Sequence, residues 1–542
     1  MSGRKAALSA AALACVAYLP SLAGAFLYDD VRNIVENRAI RDPGALAAIL
    51  RFEPARPLLT LSWALNFAAS GLRPWSYHLV NILIHAANAA LVASLFLWMA
   101  RHSSRRHPEA SACLGACLFA LTPMAAETVS YVSSRSTALA TLFTLGAARL
   151  AVDALAEPRR GRLAAAFGLF SLGLLAKEEA ACLPLLLLLL DYFFLARLEA
   201  RAVLRRLGAH APFLALPLLG LFARRAVTLA WLPAAAVDPA AYAWTQWTLV
   251  PAYLLRTLVP LDPAFYRGTA LAPWPPDPAA LLAALGMLAL LSAAILGRRH
   301  WPEWSFAMLW LVAGLLPSSS IVALKELAVD HRAYLAGAGI LYALAGALWA
   351  PGRGLFVASL LAVFCARSIQ YQLVLGDPVR AWEDAVARAP ASAEAYRALA
   401  EAYAGAGDPR AEAALARAAA LAPLDSRGWA NLGAYLLERR RFEAAEGALR
   451  RAVSLAPADA HLRDNLGAML EAQNREDEAM AEYEAARDGS PALAQPRIRL
   501  AELALRRGER ERARSLIEEA SRLDVDELDA RAILDLQARL AQ

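Results

Sequence analysis

The sequence predicts an all-α protein, a bundle of membrane helices followed by a solenoid of paired helices. Three observations predict it. Hydrophobic residues make up 58% of the 542 and charged residues only 19%, with a mean hydropathy of +0.39. Nearly all the long apolar runs fall within residues 1–376, whereas 377–542 reads as soluble helices. Within that second part, proline recurs every 33 or 34 residues, at Pro390, Pro423, Pro457 and Pro491. This composition excludes a disordered chain and fits a purely soluble enzyme poorly.

A bilayer core takes about 20 apolar residues per helix, and helices buried inside a bundle can be shorter. Eleven stretches qualify: 7–25, 78–100, 111–124, 136–152, 163–176, 180–196, 207–222, 279–297, 304–317, 333–349 and 354–372. In the first, Arg4 and Lys5 precede an apolar run ending Leu22-Ala23-Gly24-Ala25. That pattern suits an anchor or a cleaved signal, and either way Phe26 onward lies outside the cytoplasm. Arginine-rich short loops mark the cytoplasmic side. They hold Arg101, Arg105 and Arg106, then Arg159, Arg160 and Arg162, then Arg197, Arg201, Arg205 and Arg206, and finally Arg298, Arg299 and Arg353. The parity works only if 244–260, with Trp244, Trp247, Pro251, Arg256 and Pro260, does not cross. It is expected to be an interfacial or re-entrant helix with its Trp residues at headgroup depth. The C-terminal part then lies outside; were 244–260 to cross, it would be cytoplasmic. Loop 26–77 carries six Arg yet is placed outside, which a loop of that size tolerates.

Charge divides the same way. Residues 1–376 hold 31 Lys and Arg against 19 Asp and Glu, and 377–542 hold 24 against 30. The overall +6 therefore mostly records loop arginines beside membrane spans and carries no nucleic-acid signal. The five cysteines lie in apolar helix-like runs as small hydrophobes, without zinc spacing.

The proline period is that of a tetratricopeptide repeat. One unit shows Trp429, Leu432, Gly433, Ala445, Leu449 and Ala452 before Pro457; the next shows Leu466, Gly467, Ala479, Tyr483 and Ala486 before Pro491. Residues 377–542 thus resemble the TPR family, with about four repeats and a capping helix at 526–541. Such solenoids present a concave surface, usually to an extended peptide; a purely structural spacer is the other reading.

Ionisable groups at membrane depth are costly, so they are candidate functional sites. Four clusters stand out. Tyr28-Asp29-Asp30 follows the first span, where two carboxylates suit a general base, a cation site or simply a solvated helix end. Arg56-Pro57 precedes His78, Asn81, His85 and Asn88, which share one helical face. For the last three, interhelical hydrogen bonding is favoured over chemistry. Glu127, Tyr131 and Arg135 join Lys177-Glu178-Glu179, where cations beside lipid suggest phosphate recognition and mutual salt bridging is the alternative. Leu316-Pro317-Ser318-Ser319-Ser320 leads to Glu326, Asp330, His331, Arg332 and Tyr334, a loop fit to grip a phosphate or to staple itself by ion pairs.

Together, Phe26-Leu27-Tyr28-Asp29-Asp30, Arg56-Pro57, Tyr77-His78 with Asn81 and His85, Thr122-Pro123 with Glu127, Tyr131 and Arg135, Lys177-Glu178 and Asp330-His331-Arg332 with Tyr334, followed by TPR units, carry a resemblance. The chain resembles the transmembrane-and-TPR-containing protein O-mannosyltransferases and their bacterial relatives, within the GT-C glycosyltransferases. The resemblance implies a membrane enzyme that moves a sugar, mannose foremost, from a polyprenyl-phosphate donor to a hydroxyl, with inversion. The acceptor would be Ser or Thr of a protein held by the TPR part. It implies Asp29 or Asp30 as base. Arg56, Lys177, His331 and Arg332 would serve the donor phosphate, with His78, Glu127, Arg135, Glu178 and Tyr334 as further binding residues. Some GT-C enzymes use a divalent metal and others do not; no tidy ligand set is visible, so metal independence is expected. A bacterial inner membrane is the expected location, with site and TPR part on the periplasmic side. A membrane-anchored TPR scaffold with an inactive core is the alternative. A transporter fits less well, since the charged groups gather on one side and no internal repeat is visible.

Overall fold

The computed structural model describes residues 3–103, 105–231, 238–272, 275–319, 326–523, 525 and 527–541, without the side chains of 221–231. Ser320 and part of the 207–222 stretch accordingly lie outside what is described. Among the described residues every regular element is helical. Two compact units emerge, Met1–Ala385 and Val386–Gln542. The expected boundary at 376 falls nine residues earlier. The difference has a local cause: the helix Pro378–Arg388 buries Trp382 against Tyr28 and Phe265 of the first unit.

In the first unit each of the eleven apolar stretches falls on helix. Among the described residues five helices have the length and apolarity of a full span, Gly3–Ala23, Pro74–His102, Val132–Ala156, Pro278–Arg299 and Gly354–Leu375, fewer than the eleven expected. A sixth arises if Pro108–Leu121 and Pro123–Ser130, bent by 48°, form one broken span. The bend has a sequence cause, because Pro123 removes a backbone donor and its ring blocks the preceding turn. This is an integral membrane protein, and among the described residues Leu207–Gly220 and Ala338–Leu348 are shorter apolar stretches of helix.

Segment 244–260 lies in the helix Pro239–Leu258, which is not among the spans. Near its start Tyr242 donates to the Ser318 carbonyl (2.7 Å), and near its end Tyr253 donates to the Val329 carbonyl (3.1 Å). Both ends are thus tied to the loop after the helix Pro302–Leu315. Loop 26–77 is itself folded, with Ile34, Ile40, Ile49, Leu59 and Trp63 in one apolar cluster. Two of its six arginines have structural work. Arg41 donates to the Val35 carbonyl and lies over the Phe67 ring, and Arg56 forks onto Glu178.

The second unit contains four antiparallel helix pairs, from Ala393–Gly405 with Ala411–Leu421 to Gln495–Arg506 with Arg510–Ser521, and a last helix Glu527–Ala541. Each recurrent proline sits just beyond a helix end, as its missing N–H requires. Gly467 lets the helices of the third pair touch, since a Cβ there would lie 2.6 Å from the Tyr483 ring. Tyr483 cannot swing away easily, because its hydroxyl donates to Glu471 at 2.9 Å. Gly467→Ala is therefore expected to destabilise this unit by about 1–3 kcal/mol, the usual cost of overpacking. Hydrogen exchange of Ala460–Ala472 and Glu476–Gly489 in the full chain would show it as faster opening.

Candidate active site

The first membrane helix ends in a tight turn, Leu19–Ala23, and the chain then squeezes past Gly24. A Cβ at Gly24 would meet His78 Nε2 at 3.1 Å and Gly376 at 3.4 Å. Ala25 donates its amide to the Gly376 carbonyl at 3.1 Å. Tyr28 follows with φ +50°, a left-handed conformation that costs a non-glycine residue about 1–2 kcal/mol. Its ring is held edge-on to Trp382 and Phe265.

This turn gives the two neighbouring aspartates different environments. Asp30 is fully buried. Its Oδ1 accepts from the Ser133 amide (2.7 Å) and hydroxyl (2.6 Å), and its Oδ2 from the Leu27 amide (3.0 Å). Burial pushes its carboxyl up to about 7, against the pull of those bonds. Asp29 stays half-exposed. Its Oδ2 accepts from the Tyr131 hydroxyl at 2.9 Å, and its amide donates to the Tyr131 hydroxyl oxygen at 3.2 Å. Asp30 shapes the loop, and Asp29 is the more exposed carboxylate of the two.

A seam of paired charges lies at the same end of the bundle. Helices Val132–Ala156 and Arg160–Ala176 pack side by side, so Ser133 and Lys177 share one end and Arg159, Arg160 and Arg162 lie at the other. Lys177 bridges to Glu179 (2.8 Å) and donates to Thr137 (2.7 Å). Arg56 forks onto Glu178 at 3.0–3.3 Å. Burial works to raise the Glu178 carboxyl, but Arg56 and Lys177 outweigh it and hold it at about 2. The His331 amide donates to Glu127 Oε2 (3.0 Å), and its Nδ1 lies 2.6 Å from Oε1. Burial, and then the charge of Lys177, pull the His331 imidazole below its ordinary value. Asp330 takes a fork from Arg267 (2.8 and 3.0 Å) and the Ala264 amide (2.8 Å).

The other candidates point into the protein. Arg135 is fully buried and spends its donors on Asn81, Asn66, Ser62 and the Tyr77 carbonyl. Its guanidinium ties three helices together. Arg332 donates to the Leu327 and Glu326 carbonyls and holds its own loop. The Tyr334 hydroxyl meets His85 Nδ1 (2.6 Å) and Asn88 (3.2 Å). Asn81 and Asn88 further donate to the Val129 and Ala138 carbonyls, so the polar stripe serves helix-to-helix bonding. His78 is buried with neither ring nitrogen hydrogen-bonded among the described residues.

Sequence reasoning missed Arg267, Ser133, Phe265 and Trp382. Arg267 had one signal, its place in Tyr266-Arg267-Gly268 within an otherwise apolar, proline-broken connection. Among the described residues no three His, Cys, Asp or Glu side chains gather as metal ligands. Chemically the arrangement offers carboxylates, an imidazole and several guanidinium and ammonium groups, the group types that proton removal beside a stabilised anion requires.

No protein-family model matches the chain. It is similar to human "Protein O-mannosyl-transferase TMTC2", 39% identical over 102 residues, 16% of this chain and 12% of that protein. It is 32% identical to the Xenopus laevis tmtc2 protein of the same description over 156 residues, 26% of this chain and 18% of that one. To human "Protein O-mannosyl-transferase TMTC3" it is 30% identical over 146 residues, 24% and 15% of the two chains. The matches span less than a fifth of these relatives' own length. Among solved structures, Pseudomonas aeruginosa pilF is 23% identical with a TM-score of 0.28, over 35% of this chain and 82% of that one. YrrB, described as a TPR protein with an unusual peptide-binding site, is 20% identical with a TM-score of 0.26, over 34% and 89%. A structural likeness that slight carries no argument.

Proposed function

We propose that the protein is a membrane glycosyltransferase of the GT-C type. It moves a sugar, mannose foremost, from a polyprenyl-phosphate donor to a Ser or Thr hydroxyl of an acceptor protein. The observation that carries this is the contrast between the two aspartates: Asp30 is consumed by its own loop, while Asp29 is partly exposed with Tyr131 beside it, at the end of the bundle where Lys177 also lies. The partial similarity to named protein O-mannosyl-transferases supports the same chemistry.

Asp29 takes the proton of the acceptor hydroxyl as that oxygen attacks the anomeric carbon from the face opposite the phosphate. The new C–O bond inverts the centre. The old C–O bond breaks with its electron pair on the polyprenyl phosphate, whose growing charge the cations stabilise. The TPR-like unit presents the acceptor. With the arginine-rich loops cytoplasmic, site and repeats lie on the outer face of a bacterial inner membrane. The test is transfer of label from radioactive polyprenyl-phosphate mannose into protein in purified membranes. Label in protein supports the reading. Failure with a panel of polyprenyl-phosphate sugars, by a chain whose repeats still capture a partner, replaces it with the scaffold reading.

A further inference from the structure

A cavity of about 400 Å³ lies at the end of the membrane bundle away from the aspartates. The helix Pro74–His102 sets that distance. Near its start the Tyr77 carbonyl accepts from Arg135 at 3.0 Å, two residues from the Ser133 that holds Asp30. Its 29 residues rise about 43 Å, at about 1.5 Å each, toward Ser103 and Arg105 at the cavity. Phe193 and Phe194 line one side, on the π-helical turn Asp191–Leu195. Trp301 and Trp304 line another and are 65% and 42% exposed. Both sides are braced. Asp191 takes a fork from Arg206 and lies 2.9 Å from His210 Nε2. Arg298 donates to the Tyr192 hydroxyl at 3.0 Å, which ties the turn to the segment just before Trp301. The cavity is thus formed before anything enters it, as ligand pockets usually are.

One ion pair completes the lining. Arg105 donates Nε and Nη2 to the two oxygens of Glu303 at 2.6 and 2.7 Å, and Nη2 also to the Tyr342 carbonyl at 2.9 Å. Its guanidinium lies 3.8 Å from the centre of the Tyr342 ring. The pair is incomplete on both sides. Arg105 Nη1 has no hydrogen bond among the described residues, in a side chain only 7% exposed, and a buried donor without an acceptor is costly. Glu303 is 28% exposed, and a carboxylate that accepts two bonds has room for about two more. The formal charges of the lining cancel, so it complements neither a net anion nor a net cation. A zwitterion fits it, with a phosphate oxygen toward Arg105 and an ammonium toward Glu303. The aromatic rings supply the faces that attract an ammonium. Exposed Trp residues at the end of a membrane bundle sit at headgroup depth, where the zwitterions are lipids.

We propose that this cavity binds the phosphoethanolamine headgroup of a diacyl lipid, its phosphate at Arg105 and its ammonium between Glu303 and the rings of Trp301 and Trp304. The bound lipid links the turn Asp191–Leu195 to the start of the helix Pro302–Leu315. The site is separate from sugar transfer and does not depend on that reading.

The experiment is equilibrium binding of radiolabelled dioctanoyl phosphatidylethanolamine to the delipidated full-length protein in detergent. The matching phosphatidylglycerol and phosphatidylcholine and free phosphoethanolamine serve as competitors, and the thermal midpoint of each variant is checked alongside. Saturable binding that raises the wild-type midpoint is expected. Phosphatidylglycerol lacks the ammonium, and phosphatidylcholine has no N–H for Glu303, so each is expected to compete about tenfold less well. Trp301→Ala, at an exposed position, is expected to weaken binding about three- to thirtyfold at an unchanged midpoint, the loss of a cation–π contact. Glu303→Gln is expected to remove the preference over phosphatidylcholine. Wild-type affinity in Trp301→Ala overturns the site. Equal competition by phosphatidylglycerol or phosphatidylcholine makes it a general lipid contact and overturns the headgroup assignment. Full competition by free phosphoethanolamine at the same concentration makes the ligand a soluble one and overturns the lipid. A wild-type chain that binds no phosphatidylethanolamine overturns the proposal and leaves the proposed function standing.

Discussion

Asp29→Asn is expected to lower sugar transfer by about a hundred- to ten-thousandfold, the range lost when a positioned general base is removed. The folded protein is expected to survive it. Asp29 is half-exposed, and asparagine preserves an oxygen for the Tyr131 hydroxyl. Asp30→Ala is expected to do the opposite. It strips the acceptor from the amides of Leu27 and Ser133, and each buried donor left unpaired costs about 1–3 kcal/mol. Transfer per folded molecule then falls only as far as the loop loses its shape. Asp30 adds a pH signature. Burial raises its carboxyl to about 7 when folded, whereas the unfolded chain releases that proton at the ordinary aspartate value. Its contribution is thus fully present below the unfolded value and is lost as pH rises through about 7. Thermal midpoints across pH 4 to 8 check this, and Asp30→Asn, which mimics the protonated form, should flatten the slope. Transfer by Asp29→Asn at the wild-type rate would remove Asp29 from the mechanism.

The helices were legible because their signals are local. An apolar run records its own burial, and a proline 34 residues after the last records a helix end, so the eleven stretches and the four helix pairs fall on helix. Segment 244–260 was expected not to cross from the parity of the arginine-rich loops, and what the fold adds is that Tyr242 and Tyr253 bond the Ser318 and Val329 carbonyls. The four polar clusters were visible as groups. Their division of labour was not, because it depends on partners far away in the chain. Arg135 and Lys177 look alike as cations beside lipid. Only the fold reveals that Arg135 is spent on Asn81, Asn66, Ser62 and the Tyr77 carbonyl, while Lys177 sits with Glu179 in the charged seam. Arg332 and Tyr334 likewise carry the residue types of a binding site and turn out to bond their own loop and bundle. Nothing about Asp29 and Asp30 as neighbours separates them. The separation comes from Ser133, 103 residues on, which takes Asp30.

Trp382→Ala is expected to lower transfer about a hundredfold, although Trp382 lies beyond the last membrane helix and touches neither aspartate. The indole is 3% exposed and packs against three rings, edge-on to Tyr28 and Phe265 with centroids at 5.1 and 5.4 Å, and tilted against Tyr266 at 5.8 Å. Phe265 in turn lies against Tyr131 at 5.2 Å, and Tyr131 holds Asp29. Tyr28 occupies a left-handed conformation that the chain would otherwise abandon, and such strain persists only where its surroundings enforce it. Removing the indole deletes the largest of those constraints. Tyr28 then relaxes, and Asp29, the next residue, moves with it. A displacement of about 1 Å at a reacting group is enough to cost a hundredfold in rate. Since no cation moves, the loss should fall on kcat with the donor KM nearly unchanged, and Trp382→Phe should recover most of it. Hydrogen exchange supplies a readout that does not depend on knowing the substrate. The Asp29 amide donates to the Tyr131 hydroxyl, so it should exchange faster in Trp382→Ala than in wild type. Unchanged exchange at that amide together with wild-type transfer would show that the aspartate loop stands without its indole.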